Sequence, residues 1–99
     1  MKLSDNTGTQ FTAFFARVQG RVQGVGFRYS AYREARRLGL NGWVRNSGDG
    51  AVEVWAEGPP EKLSQFLSWL HKGPQFSRVD SVERENKIPK GYNGFNIEG

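Results

Sequence analysis

The chain has 99 residues, 36% apolar and 24% charged, which suffices for one compact domain with a single core and is too little for two. It has no cysteine, so disulfides, thiolate metal sites and cysteine nucleophiles are excluded and a cytoplasmic home is expected. The net charge of +4 is unevenly spread: seven arginines face the single acid Glu34 between Arg17 and Arg45, a balance of +6, while the other seven cations and nine acids leave −2.

Residues 1–10 are polar and read as a flexible extension; they lack the apolar core of about 7–15 residues that a secretion signal needs. No apolar run approaches the roughly 20 residues that cross a bilayer. Residues 11–99 form the domain. Thr12, Phe14, Ala16 and Val18 alternate with Arg17 and Gln19, which predicts a strand buried mainly on one face. Three glycines then fall within Gly20-Arg21-Val22-Gln23-Gly24-Val25-Gly26, before Phe27, Ala31, Ala35 and Leu38 at helical spacing and a stop at Gly39. Arg33, Arg36 and Arg37 lie mostly off that apolar line, as on a solvated face. Gly42–Asn46 and Ala51–Glu57 read as a hairpin around an Asp49-Gly50 turn. Leu63, Phe66, Leu67 and Leu70 define a second helix, opened by Pro59-Pro60-Glu61 and closed by His71-Lys72-Gly73-Pro74. Strand character returns over Arg78–Glu85, where Val79 and Val82 differ in parity and imply a bulge, and a short last strand carries Phe95 and Ile97.

The order β-α-β-β-α-β with a terminal β is most simply satisfied by a ferredoxin-like α+β sandwich: two helices on one face of a mainly antiparallel sheet. Function must be read from sites, because this layout hosts many activities. Glycines in the first loop let backbone N–H groups converge, and the following helix adds its positive end, a combination suited to an anion. Arg28, in the first helical turn, could grip phosphate oxygens with two parallel hydrogen bonds. Spacing alone leaves a tight turn as an equal account. The loop is neither a Gly-x-x-x-x-Gly-Lys phosphate loop nor a dinucleotide fingerprint, since Phe27-Arg28 follows Gly26 and Tyr29 occupies the third glycine position. Asn46 ends its strand before Ser47-Gly48, where turn initiation is the simpler reading by spacing.

Gly20-Arg21-Val22-Gln23-Gly24-Val25-Gly26-Phe27-Arg28, followed by Gly42-Trp43-Val44-Arg45-Asn46, Asp49-Gly50 and Glu57-Gly58-Pro59, closely resembles the acylphosphatase family over about residues 13–97. The polar extension before Phe11 and the stretch after Arg84 depart from the pattern without touching these motifs. The resemblance implies a small monomeric enzyme that hydrolyses acyl phosphates to a carboxylate and inorganic phosphate, without cofactor or metal. It implies that Arg21, Val22, Gln23, Gly24, Val25 and Gly26 form the phosphate loop. Arg28 would be the phosphate-binding arginine, and Asn46 would position the attacking water.

His71 is expected to serve as a helix-end cation. Asp49, Glu53 and Glu57 form no recognisable ligand cage and are expected to be solvated carboxylates. A nucleic-acid-binding module would use the arginines with Trp43 and Trp55, but Ala51–Glu57 carries two acids and no RNA-reader pattern, and the tryptophans are expected to pack. A stand-alone copy of the acylphosphatase-like module of carbamoyl-phosphate-handling hydrogenase maturation proteins would share the loop and Arg28.

Overall fold

The computed structural model describes residues 10–99; the polar extension expected at 1–10 lies, apart from Gln10, outside the described residues. The elements are β1 (Thr12–Arg21), α1 (Phe27–Arg37), β2 (Asn41–Asn46), β3 (Val52–Gly58), α2 (Pro60–Lys72), β4 (Arg78–Lys87) and β5 (Phe95–Glu98). The five strands form one sheet in the order β4-β1-β3-β2-β5, antiparallel except where β5 runs parallel to β2. This is the expected ferredoxin-like arrangement. The terminal strand extends the sheet beyond β2.

The apolar periodicities decide which faces meet. Phe14, Ala16 and Val18 of β1, with Val44, Val52 and Val54 from the hairpin strands, form a single core with Phe27, Ala31 and Ala35 of α1 and Leu63, Phe66 and Leu70 of α2. Phe66 is its centre, stacked on Phe14 and Trp69 and edge-on to Phe95. Full burial of each such side chain contributes about 1.5–3 kcal/mol. The start and stop signals hold: Pro60 opens α2, Glu61 lies in its first turn, His71 and Lys72 lie in its last, and Gly73 at φ +71° donates its N–H to the Trp69 carbonyl at 2.7 Å.

The other sheet face carries a smaller cluster of Ala13, Trp43 and Trp55, flanked by Phe15 and Tyr92, so both tryptophans pack. Here one expectation fails. Glu57 is only 1% exposed: its carboxylate accepts hydrogen bonds from the Trp55 indole N–H and from the backbone N–H groups of Lys90, Gly91 and Tyr92. It pins the segment that leads into β5. The strand's alternation placed this side chain beside Trp55 on the covered face, but the donors come from more than thirty residues away and leave no local signal. Asp49 and Glu53 are not simply solvated either. Arg17 bridges both, at 2.6 and 3.1 Å, and Arg45 adds a second contact to Glu53 at 3.0 Å.

The parity conflict in β4 is resolved by a bulge. Gln19 pairs with Ser81 and Gly20 with Val79, so Asp80 is skipped and both Val79 and Val82 turn toward the core. Gly20 makes this possible. Its φ is +134°, and a Cβ there would collide with the Arg78 carbonyl oxygen. Pairing with β4 also carries β1 through Arg21, so the first two residues of the expected glycine-rich loop belong to the strand.

Candidate active site

The loop after β1 returns the chain to the start of α1 through two left-handed residues, Gly24 at φ +76° and Gly26 at φ +80°. A Cβ at either position would meet no protein atom within 4 Å, so packing does not require these glycines. The backbone conformation does, and it leaves the space above the loop open. Gly26 is the N-cap of α1 and supplies no side-chain cap, and the first turn contains no acid. The first helical bond runs from the Ser30 N–H to the Gly26 carbonyl at 3.0 Å, so the amides of Phe27, Arg28 and Tyr29 have no acceptor within the helix. Uncapped amides and the positive end of the helix therefore meet at one point.

At this point lies a cavity of about 200 Å³ lined by Val22, Gly24, Gly26, Phe27, Arg28, Tyr29, Asn46 and Ile97. Two distant segments converge in it. Arg28 is brought by the first turn of α1, and Asn46 by the end of β2, where it pairs with Val52 of β3. The Asn46 Oδ1 is buried and has no hydrogen-bond partner among the described residues. A buried acceptor without a partner is costly, so it marks a place where a water or ligand proton would be satisfied.

The structure thus gathers Val22, Gly24, Gly26, Arg28 and Asn46 around one space. It sends the side chains of three other candidates elsewhere. Arg21 is exposed on β1 opposite Arg78 of β4. Val25 packs against the main core. Gln23 donates both side-chain N–H groups across the gap, to the carbonyls of Ser47 and Ala51, each at 2.8 Å. That tether joins the loop to the hairpin turn immediately after Asn46. Glutamine's two donors made it possible, but nothing in the spacing named its acceptors. Tyr29 and Ile97 were not singled out as site residues; their cavity positions follow from the helix register and from the parallel pairing of β5 with β2. His71 does not line the cavity, and among the described residues no cluster of three His, Asp or Glu side chains suits a metal ion.

A family model described as acylphosphatase matches residues 14–97. An acylphosphatase of Thermococcus kodakarensis is 52% identical over 83 residues, covering 84% of this chain and 91% of its own length. The crystal structure of acylphosphatase from Bacillus subtilis has a TM-score of 0.87 at 39% identity, with 89% of this chain and 99% of that one covered. The structure of HypF from T. kodakarensis is also similar, with a TM-score of 0.76 at 40% identity over 89% of this chain, but the match is only 12% of that larger protein. Matched by the family model over 84 residues, and by stand-alone relatives over nearly their full length, the chain belongs to the acylphosphatase family.

Proposed function

We propose that the protein hydrolyses acyl phosphates at this cavity by direct attack of water on phosphorus. The observation that carries the reading is the convergence of uncapped amides and Arg28 with the unpartnered Asn46 carboxamide in one space. The loop amides from Val22 to Gly26 and the Arg28 guanidinium hold the phosphate. As the transition state loosens, negative charge spreads over the peripheral oxygens, where these donors stabilise it. Asn46 Oδ1 accepts a hydrogen bond from the attacking water and holds its oxygen in line. The water–phosphorus bond forms as the bond from phosphorus to the acyl oxygen breaks. The carboxylate leaves without needing a proton, and the water proton passes to a phosphate oxygen. A carboxylate and inorganic phosphate are released.

Under this reading the partner is the small molecule alone, and the protein works as a cytoplasmic monomer without metal. Nucleic acid plays no part: the sheet-face cations Arg17 and Arg45 are engaged by Asp49 and Glu53, and Trp43 and Trp55 are buried.

Hydrolysis of acetyl phosphate in the presence of a chelator, by wild type, Arg28→Ala and Asn46→Ala, tests the assignment. Truncating one partner of a desolvated charged pair costs about 2–5 kcal/mol; for a half-buried guanidinium the lower end, about 30-fold, is expected, in both phosphate affinity and kcat/KM. Asn46→Ala is expected to lower kcat while sparing phosphate binding, because water is oriented mainly in the transition state. Near-normal turnover by either folded variant removes that residue from the mechanism, and full loss with chelator alone removes the metal-free route.

A further inference from the structure

The cavity is small for the molecule it would receive. Sites that enclose a drug-sized ligand measure about 300–1,000 Å³; this one, at about 200 Å³, accommodates the phosphate and its neighbouring carbonyl and leaves the remainder of an acyl group at the mouth. Five large apolar or aromatic side chains are exposed among the described residues, and two of them, Tyr29 at 58% and Ile97 at 41%, line this cavity. They reach it from opposite parts of the chain, Tyr29 from the first turn of α1 and Ile97 from β5. The Tyr29 ring does not stand alone. It lies against Tyr32 with centroids 6.1 Å apart, and the Arg33 guanidinium sits 5.9 Å from its centroid. A half-exposed aromatic held by two neighbours gives up little conformational freedom on contact with a ligand.

We propose that Tyr29 and Ile97 form an acyl-binding rim that selects substrates whose acyl group is aromatic or bulky and apolar over acetyl and carbamoyl phosphates. The inference rests on the hydrolytic reading of the same cavity. Recognition divides accordingly: backbone amides and Arg28 read the phosphate, and the rim reads what is attached to it.

The test compares kcat/KM for benzoyl and acetyl phosphate in wild type, Tyr29→Ala, Tyr29→Phe and Ile97→Ala. The two compounds differ in intrinsic reactivity, so the readout is the change in the benzoyl-to-acetyl ratio between each variant and wild type, from which that difference cancels. The ratio is expected to fall by about fivefold or more in each alanine variant and to stay near the wild-type value in Tyr29→Phe. A ratio within about twofold of wild type in both alanine variants would overturn the rim, since lost apolar contact must appear there. Calorimetric binding of phenylphosphonate and methylphosphonate separates this inference from the hydrolytic one. Tighter binding of the phenyl compound, lost in Tyr29→Ala, upholds the rim even where no turnover is seen, whereas equal binding of the two refutes it even where turnover is normal.

Discussion

Gln23 donates to the carbonyls of Ser47 and Ala51 at 2.8 Å each and thereby ties the loop after β1 to the turn that follows Asn46. Gln23→Ala removes both bonds and leaves two partly buried acceptors to find water. At about 0.5–1.5 kcal/mol per bond, the expected loss of stability is about 1–3 kcal/mol, read as a shift in urea midpoint. The functional loss is expected to be larger in proportion. Under the proposed function the loop holds the phosphate and the strand end holds the water, so freedom between them degrades the line of attack, and a misplacement of about 1 Å can cost about 100-fold in rate. Gln23→Ala should therefore lower kcat on an acyl phosphate by at least about tenfold while weakening inhibition by inorganic phosphate far less. Gln23→Glu should be worse in both respects, because it points a carboxylate at two carbonyls beside an anion site. A folded Gln23→Ala protein that loses the expected stability but keeps kcat within about twofold of wild type would show the tether to be structural only, and would refute the coupling argued here.

Glu57→Ala leaves the indole N–H of Trp55 and three backbone donors of residues 90–92 without their acceptor, and a loss of about 1–3 kcal/mol or more is expected in the urea midpoint. Burial pushes the Glu57 carboxyl up, but these four donors outweigh it and hold it below its ordinary value of 4.5. Its contribution should be complete above that pH and fade as the pH falls below it, so the wild-type advantage over Glu57→Gln should shrink in acid; an advantage unchanged down to the acid transition would contradict this. Gly20→Ala combines an unfavourable φ with collision against the Arg78 carbonyl, and a cost of about 2–4 kcal/mol is expected by the same denaturation assay, against a negligible shift if the β4 bulge simply relaxes.

Much of the fold was legible because its determinants are local. Apolar residues at helical spacing, such as Leu63, Phe66 and Leu70, face one core, and the odd parity of Val79 and Val82 announced a bulge that the pairing of β4 with β1 contains. The end of β1 was less legible, since Gly20 and Arg21 have loop-like composition and are held in the strand by a partner nearly sixty residues later. For the same reason Glu57 looked like a surface acid. An alternating strand shows which face a carboxylate occupies, but the backbone donors from 90–92 that bury it are fixed only by the tertiary fold. In the site, composition and helix position left Gly24, Gly26 and Arg28 evenly divided between a tight turn and an anion cradle, and the resemblance favoured the cradle. Asn46 was less legible still: by spacing it is a turn residue, and the resemblance alone raised it until the packing of β2 beside the loop brought it into the same cavity. Tyr29 and Ile97 required the structure altogether.

The charge on this chain narrows from a broad signal to a single group. Of the seven arginines between positions 17 and 45, Arg17 and Arg45 converge on Glu53 across the sheet face, with Asp49 taking the other branch of Arg17. Along α1, Arg37 pairs with Glu34, Arg36 donates to the Tyr32 hydroxyl, and Arg33 lies over Tyr29. Arg21 sits outside the cavity on β1. Arg28 is thus the one cation among the described residues that lines it, and the rest of the positive potential there is supplied by peptide dipoles. Such a site matches phosphate in charge without the desolvation cost of burying several cations together. It also constrains the chemistry: among the described residues no carboxylate, imidazole or amine lines the cavity, so no general base of that kind faces the attacking water. In the proposed reaction Asn46 orients that water but cannot keep its proton, and the phosphate oxygen becomes the acceptor in reach. The acyl carboxylate, already a competent leaving group, makes that weak base sufficient.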